Sequence, residues 1–216
     1  MVRSGDRQDL ARRHRRRDRR RRHRCPAGQG PQRHAERTAM TDKSASIALL
    51  LAALMLGTMA GFFYAFSVCV MPGLDAARPA AAIEAMQEIN RAVRNPVFFT
   101  SFFVTPAVAA GAALLCWQAG RRRAAYAAGL ATLTYLAGAM APTIVVNVPL
   151  NQALAAYGDG GNGLPAADMW RAYSPAWTGW NTARGGFSII AMAFALLALA
   201  TPAAHTRETS AHKTRP

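Results

Sequence analysis

The 216 residues are 51% hydrophobic and carry a formal net charge of +15, but that charge belongs to one end of the chain. Residues 1–39 hold 14 Arg against 4 acidic residues, whereas the rest holds 12 Lys and Arg against 7 acids. The isoelectric point of about 11.3 therefore describes a tail, and it does not make the body a basic nucleic-acid binder.

The tail, including HRRRDRRRRHR, has almost no large apolar residues and cannot bury enough surface to offset the entropy of ordering, so residues 1–39 are expected to be disordered. Such a run can neutralise nucleic-acid phosphates or anionic lipid headgroups. It can equally be the product of a misplaced start, with the working chain beginning at Met40. No aromatic residue interleaves the arginines, so no nucleic-acid partner is expected. Nearly forty polar residues precede the first apolar run, which is not the pattern of a signal peptide.

From Met40 the pattern changes to that of a bilayer protein. A membrane-spanning helix needs about 20 apolar residues. The sequence offers four such runs, at 47–71, 97–118, 124–146 and 185–204, with Pro142 expected to kink the end of the third. The expected architecture is all-α, a four-helix transmembrane bundle over residues 40–206, followed by a polar tail at 207–216. Between the first two runs, PAAAIEAMQEINRAVR places Ile83, Met86, Ile89 and Val93 on one helical stripe and Glu84, Glu88 and Arg91 opposite. It predicts an amphipathic helix at about 80–94, on the outer face of the membrane or capping the bundle. Residues 158–165, GDGGNGLP, read as a flexible turn, then a short helix to Tyr173 and a break at Pro175 before the last run.

Positive residues set orientation. Arg121 to Arg123 join the second and third runs, Lys43 precedes the first, and Arg207, Lys213 and Arg215 follow the last. These regions share one side, so a cell-membrane protein with both termini cytoplasmic is expected. Cys69 and Cys116 lie inside apolar runs without CxxC spacing, Cys25 lies in the tail, and free, inert thiols are expected. The body has no histidine before His205, which disfavours a His-based metal or haem site, and no cofactor is expected.

The chain's few polar groups gather at the opposite side. Asn90, Arg91, Arg94 and Asn95 open the second run, Asn147 and Asn151 close the third, and Trp177, Trp180, Asn181 and Arg184 open the fourth. Helical spacing puts Arg91 with Asn95, Asn147 with Asn151, and Trp177 with Asn181 and Arg184 on common faces. Tryptophan and arginine at span ends also serve as interfacial anchors. Asparagine has no anchoring role and is poorly tolerated against lipid, so these residues either bond one another across helices or line one polar pocket. The pocket is the reading adopted, with Glu88 as charge partner for Arg91.

GFFYAFSVCVMPGL, AMQEINRAVRNPVFFTSFF, NVPLNQALA and the spaced W…Y…W..WNTAR together resemble the anthrone oxygenase-like family of small integral membrane proteins, over about residues 46–200. The resemblance implies oxidation of an anthrone-like or other phenolic aromatic by molecular oxygen, without metal or flavin. It implies that Arg91, Arg94 and Arg184 supply positive charge, that Asn147, Asn151 and Asn181 orient substrate oxygens, and that Trp177 and Trp180 stack on a planar ring. The base stays unassigned, Glu84 and Glu88 being the candidates. The rival expectation is a non-enzymatic membrane protein that binds or moves a small solute or assists a partner complex, with no inverted repeat to support a transporter. Small-residue runs at 109–113 and 124–131 permit a homo-oligomer or close packing within one chain.

Overall fold

The computed structural model describes residues 29–158 and 163–202. These are helical, with no strand among them. The elements are α1 (Gln29–Ala65), α2 (Met71–Asp75), α3 (Pro79–Ala92), α4 (Pro96–Phe99), α5 (Thr105–Gln118), α6 (Arg122–Tyr135), α7 (Val148–Ala155) and α8 (Ala166–Ala200). π-Helical turns at Phe66–Val70, Thr100–Val104, Leu136–Met140 and Thr143–Asn147 join several of them. Four resulting helices are long and apolar enough to cross a membrane: Glu36–Asp75, Pro96–Gln118, Arg122–Ala155 and Ala166–Ala200. The chain is a multi-pass membrane protein.

Residues up to Met40 form one unit and Thr41–Pro216 the other, which holds the bundle. The expectation of disorder falls outside the described residues as far as residue 28, and from Gln29 the chain is helical. The C-terminal tail at 207–216 also lies outside the described residues. So does the middle of the expected turn, which is bracketed by Gly158 and Gly163 at positive φ.

One proline expectation is corrected. The fourth helix does not break at Pro175 but runs unbroken from Ala166 to Ala200. A proline inside a helix removes one backbone donor and crowds the preceding turn, at a cost of about 3 kcal/mol. Here Trp170, Tyr173 and Trp177 bury on both sides of it, and Ser174 Oγ and Trp170 Nε1 donate to Asp75 Oδ1 at 2.6 and 2.9 Å. That anchoring holds the helix through the proline. Pro142, where a kink was expected, lies between two π-helical turns, and the helix continues to Ala155.

The core consists of three clusters. In one, Ala45 and Leu49 meet Ala112, Cys116, Ala124, Ala128 and Ala198. In the middle one, Leu56, Met59 and Phe63 meet Phe102, Tyr135 and Ala191. Alanine at so many contacts lets backbones approach closely, which is what van der Waals association of helices in lipid requires. Gly138 shows the limit of that approach. A Cβ there would stand 2.1 Å from Cγ and 2.4 Å from Cβ of Phe187, atoms too near the backbone to swing away. Gly138→Ala is expected to destabilise by about 1–3 kcal/mol, read as a lower melting temperature in detergent. Gly129→Ala, which meets nothing within 4 Å, is the control.

The third cluster closes one end. On α3, Ala82, Ile83 and Met86 are buried against Met71, Leu154, Trp170 and Tyr173, while Glu84 and Glu88 face out. Gln87 Nε2 pins α3 to the end of α7 by donating to the carbonyls of Leu154 at 2.8 Å and Tyr157 at 3.0 Å. The amphipathic helix is thus a cap on the bundle, and the polar residues flagged above lie beneath and beside it.

Candidate functional site

Under α3 lies a cavity of about 310 Å³. Three π-helical turns contribute to its wall: Phe66 from the first, Phe102 and Phe103 from the second, Thr143, Ile144 and Asn147 from the third. A π-helical turn carries one extra residue, which rotates the following side chains by about 100° about the axis and so redirects a whole face. Eight of the nineteen lining residues are aromatic. Phe98 and Phe102 stack 5.6 Å apart, Phe62 lies 5.1 Å from Phe98, and Phe66 lies 5.6 Å from Trp177.

Arg184 reaches this cavity from α8 and is only 4% exposed. Its Nη1 donates to Thr143 Oγ1 at 2.9 Å and its Nη2 to Asn181 Oδ1 at 3.1 Å. The guanidinium carbon lies 4.7 Å from the ring centre of Phe63 and 5.5 Å from that of Trp177. No carboxylate lines the cavity, and the ion pairs Arg91–Glu88, Arg121–Asp42 and Arg171–Asp168 all lie elsewhere. Arg184 is a buried cation solvated by neutral oxygens and ring faces.

Several polar atoms on the cavity-lining residues have no protein partner: Arg184 Nε, Asn147 Oδ1, Trp177 Nε1 and Asn90 Nδ2. Each such atom costs about 1–3 kcal/mol of desolvation when nothing satisfies it. Their accumulation around one cavity marks a place where the fold gives up stability.

A second, more polar chamber of about 260 Å³ adjoins the first, sharing Asn90, Arg94 and Asn151 with it and adding Gln87, Arg91 and Tyr157. Arg94 Nε donates to the Asn90 carbonyl at 3.0 Å, and Tyr173 donates its hydroxyl to Asn151 Oδ1 at 2.8 Å.

The ten candidates read from the sequence therefore separate. Asn90, Arg94, Asn147, Asn151, Trp177 and Arg184 line the aromatic cavity. Arg91 lines only the polar chamber, exposed and paired with Glu88, which is the partner expected for it. Asn95 caps α4, accepting from the Phe98 N–H at 3.0 Å and donating to the Ala92 carbonyl at 2.9 Å. Trp180 is 44% exposed and lines neither chamber. Asn181 stands behind Arg184: its amide donates to the Phe63 carbonyl and to Ser67 Oγ, both at 2.7 Å, which turns its Oδ1 toward the guanidinium. Glu84 and Glu88 are exposed on the far side of α3, so neither candidate base reaches the cavity.

The phenylalanines went unremarked in the sequence. Their signal is the doublet FF at 62–63, 98–99 and 102–103, always at the cavity end of a span, but a hydropathy reading counts Phe as ordinary lipid-facing bulk. Among the described residues no three His, Cys, Asp or Glu side chains come together to hold a metal ion. Residues 97–194, from the second span into the fourth, match the family model described as Anthrone oxygenase. No curated protein and no solved structure matches the chain.

Proposed function

We propose, from the match of residues 97–194 to the anthrone oxygenase family model, that the chain acts as members of that family do: its aromatic cavity binds an anthrone-like phenolic as the oxyanion and promotes its oxidation by molecular oxygen. The observation that carries this reading is Arg184, a buried guanidinium without a carboxylate, set among aromatic walls. In a site of low dielectric, a fixed cation stabilises an anion far better than water-exposed charge does. A planar ring stacked against Phe66, Phe98 and Trp177 would lay its oxygen toward Arg184 and the unpaired donors nearby.

The chemistry balances without another redox partner. Loss of a methylene proton gives the enolate, whose oxygen rests on Arg184. The carbanion form passes one electron to oxygen, and the resulting carbon radical and superoxide combine to a peroxide that takes up a proton. Loss of water then leaves a carbonyl at the former methylene carbon, so anthrone and O₂ become anthraquinone and water. The cavity wall holds neither carboxylate nor imidazole, so the first proton departs to water through the polar chamber at Arg94. With the positive-inside pattern placing Arg121 to Arg123 in the cytoplasm, this chamber opens on the outer side of the cell membrane.

Purified protein in detergent, given 1,8-dihydroxyanthrone in an oxygen-electrode cell, should consume one O₂ per anthrone above the spontaneous rate. Uptake no faster than in buffer and detergent alone would reject oxidation. Binding without uptake would leave the solute-binding alternative in its place.

A further inference from the structure

One part of the cavity wall is both apolar and exposed, and its chemistry differs from that of the polar chamber at Arg94. Near Arg121 the second and third spans pack closely through α5 and α6. They stay in contact as far as Tyr135, which donates to the Phe102 carbonyl at 3.2 Å. Beyond that level, no comparable packing joins α4 and the turn Thr100–Val104 to the turn Thr143–Asn147 and α7. The residues flanking this gap line the cavity and are also exposed: Phe99 (44%) and Phe103 (51%) on one side, Ile144 (54%) and Val148 (39%) on the other. Each pair is spaced by four, so each forms a ladder along its helix. All four side chains are apolar and lie within spans long enough to cross the bilayer, so the slot faces acyl chains.

Resting on the anion-site reading above, we infer that this slot is a binding subsite for a hydrocarbon chain, and that the ligand is a membrane-resident amphiphile. Its oxygen-bearing aromatic head fills the cavity at Arg184, and its tail lies between the second and third spans, continuous with the lipid. Cavity size agrees with that division. About 310 Å³ lies at the lower end of small-molecule sites, enough for a compact ring system and too small for an attached chain as well. The slot and the chamber at Arg94 then separate two traffics, with the apolar body moving through the first and protons and water through the second.

The test has two arms, using an Ile144→Phe, Val148→Phe double variant that narrows the slot without touching a polar group. In the first, wild type and Trp177→Phe are placed in bilayers of phosphatidylcholine brominated on its acyl chains, and the difference between them isolates the Trp177 emission. That emission should be strongly quenched, and in the double variant largely restored. In the second, binding of 2-methylanthraquinone and 2-dodecylanthraquinone is compared between wild type and double variant in the same bilayers, so that partitioning cancels in the ratio. The double variant should lose about tenfold for the dodecyl compound and stay within about twofold for the methyl one. Absence of bromolipid quenching at Trp177, or an equal loss for both compounds, would overturn the slot. Failure of 2-methylanthraquinone to bind wild type counts against the cavity as a site for the aromatic head, and so against the proposed function alone, since the bromolipid arm needs no added ligand.

Discussion

Arg184→Met should lower anthrone-dependent oxygen uptake by about 10²–10³-fold without lowering the melting temperature. The first half follows from the position of the guanidinium. Removing one donor that stabilises a developing oxyanion in a water-poor site typically costs about 3–4 kcal/mol of barrier. Methionine has similar reach and no charge, so the cavity keeps its shape and loses its electrostatics. The second half follows from what Arg184 lacks. It gives two hydrogen bonds, to Thr143 and Asn181, but has no carboxylate to offset the desolvation of a 96%-buried cation, 4% being exposed. Relief of that desolvation penalty offsets the donor that methionine takes from Thr143 Oγ1 and Asn181 Oδ1. Arg184→Lys keeps the charge but not the fork that spans Thr143 and Asn181, and should retain only a small part of the activity. A melting temperature several degrees lower in Arg184→Met, with activity proportional to the folded fraction, would make Arg184 a structural residue.

Arg121→Ala should be the most destabilising single change at the other end of the bundle, by about 2–4 kcal/mol, seen as a lower detergent melting temperature with uptake per folded molecule unchanged. Gly120, at φ +77°, ends α5 with the Arg121 N–H bonded back to the Cys116 carbonyl at 2.9 Å. Glycine adopts that left-handed conformation without penalty, and it turns Arg121 inward. There, 5% exposed, Arg121 donates Nη1 to Ser46 Oγ at 3.0 Å and Asp42 Oδ1 at 3.4 Å. Its Nη2 donates to the carbonyls of Ala198 at 3.2 Å and Thr201 at 2.8 Å. One side chain thus ties together the first span, the turn between the second and third, and two carbonyls at the end of the fourth. Deleting it takes a donor from each of these partners. Arg122, exposed and lying 3.5 Å over Trp117, is the contrast: Arg122→Ala should cost no more than about 1 kcal/mol. Equal losses for the two arginines would show the clamp to be inert.

Span number was legible because it depends on a one-dimensional quantity, the length of apolar chain needed to cross hydrocarbon. The same holds for α3, whose buried Ile83 and Met86 and exposed Glu84 and Glu88 repeat the stripe written in PAAAIEAMQEINRAVR. That helix has water on one side, so polarity reports its phase. Inside the bilayer polarity reports no phase, because the lipid-facing and core-facing sides of a span are both apolar. Three π-helical turns then redirect the faces that line the cavity, and nothing in regular 3.6-residue spacing anticipates them. The ten candidate polar residues accordingly share one end of the bundle, as their place at span boundaries implied, and only contacts between helices sort them. Asn95 becomes a cap, Trp180 a surface ring, Asn181 a support behind Arg184, and Arg91 half of a surface ion pair. The arginine triplet reads from composition as three equivalent charges, yet one of them is a buried clamp. The sequence alone determined four spans, an amphipathic helix between the first two and the end at which polarity gathers. The tertiary structure decided which cation is buried without a partner, which phenylalanines enclose it, and where the spans part toward lipid, since each depends on the rotation of one helix against another.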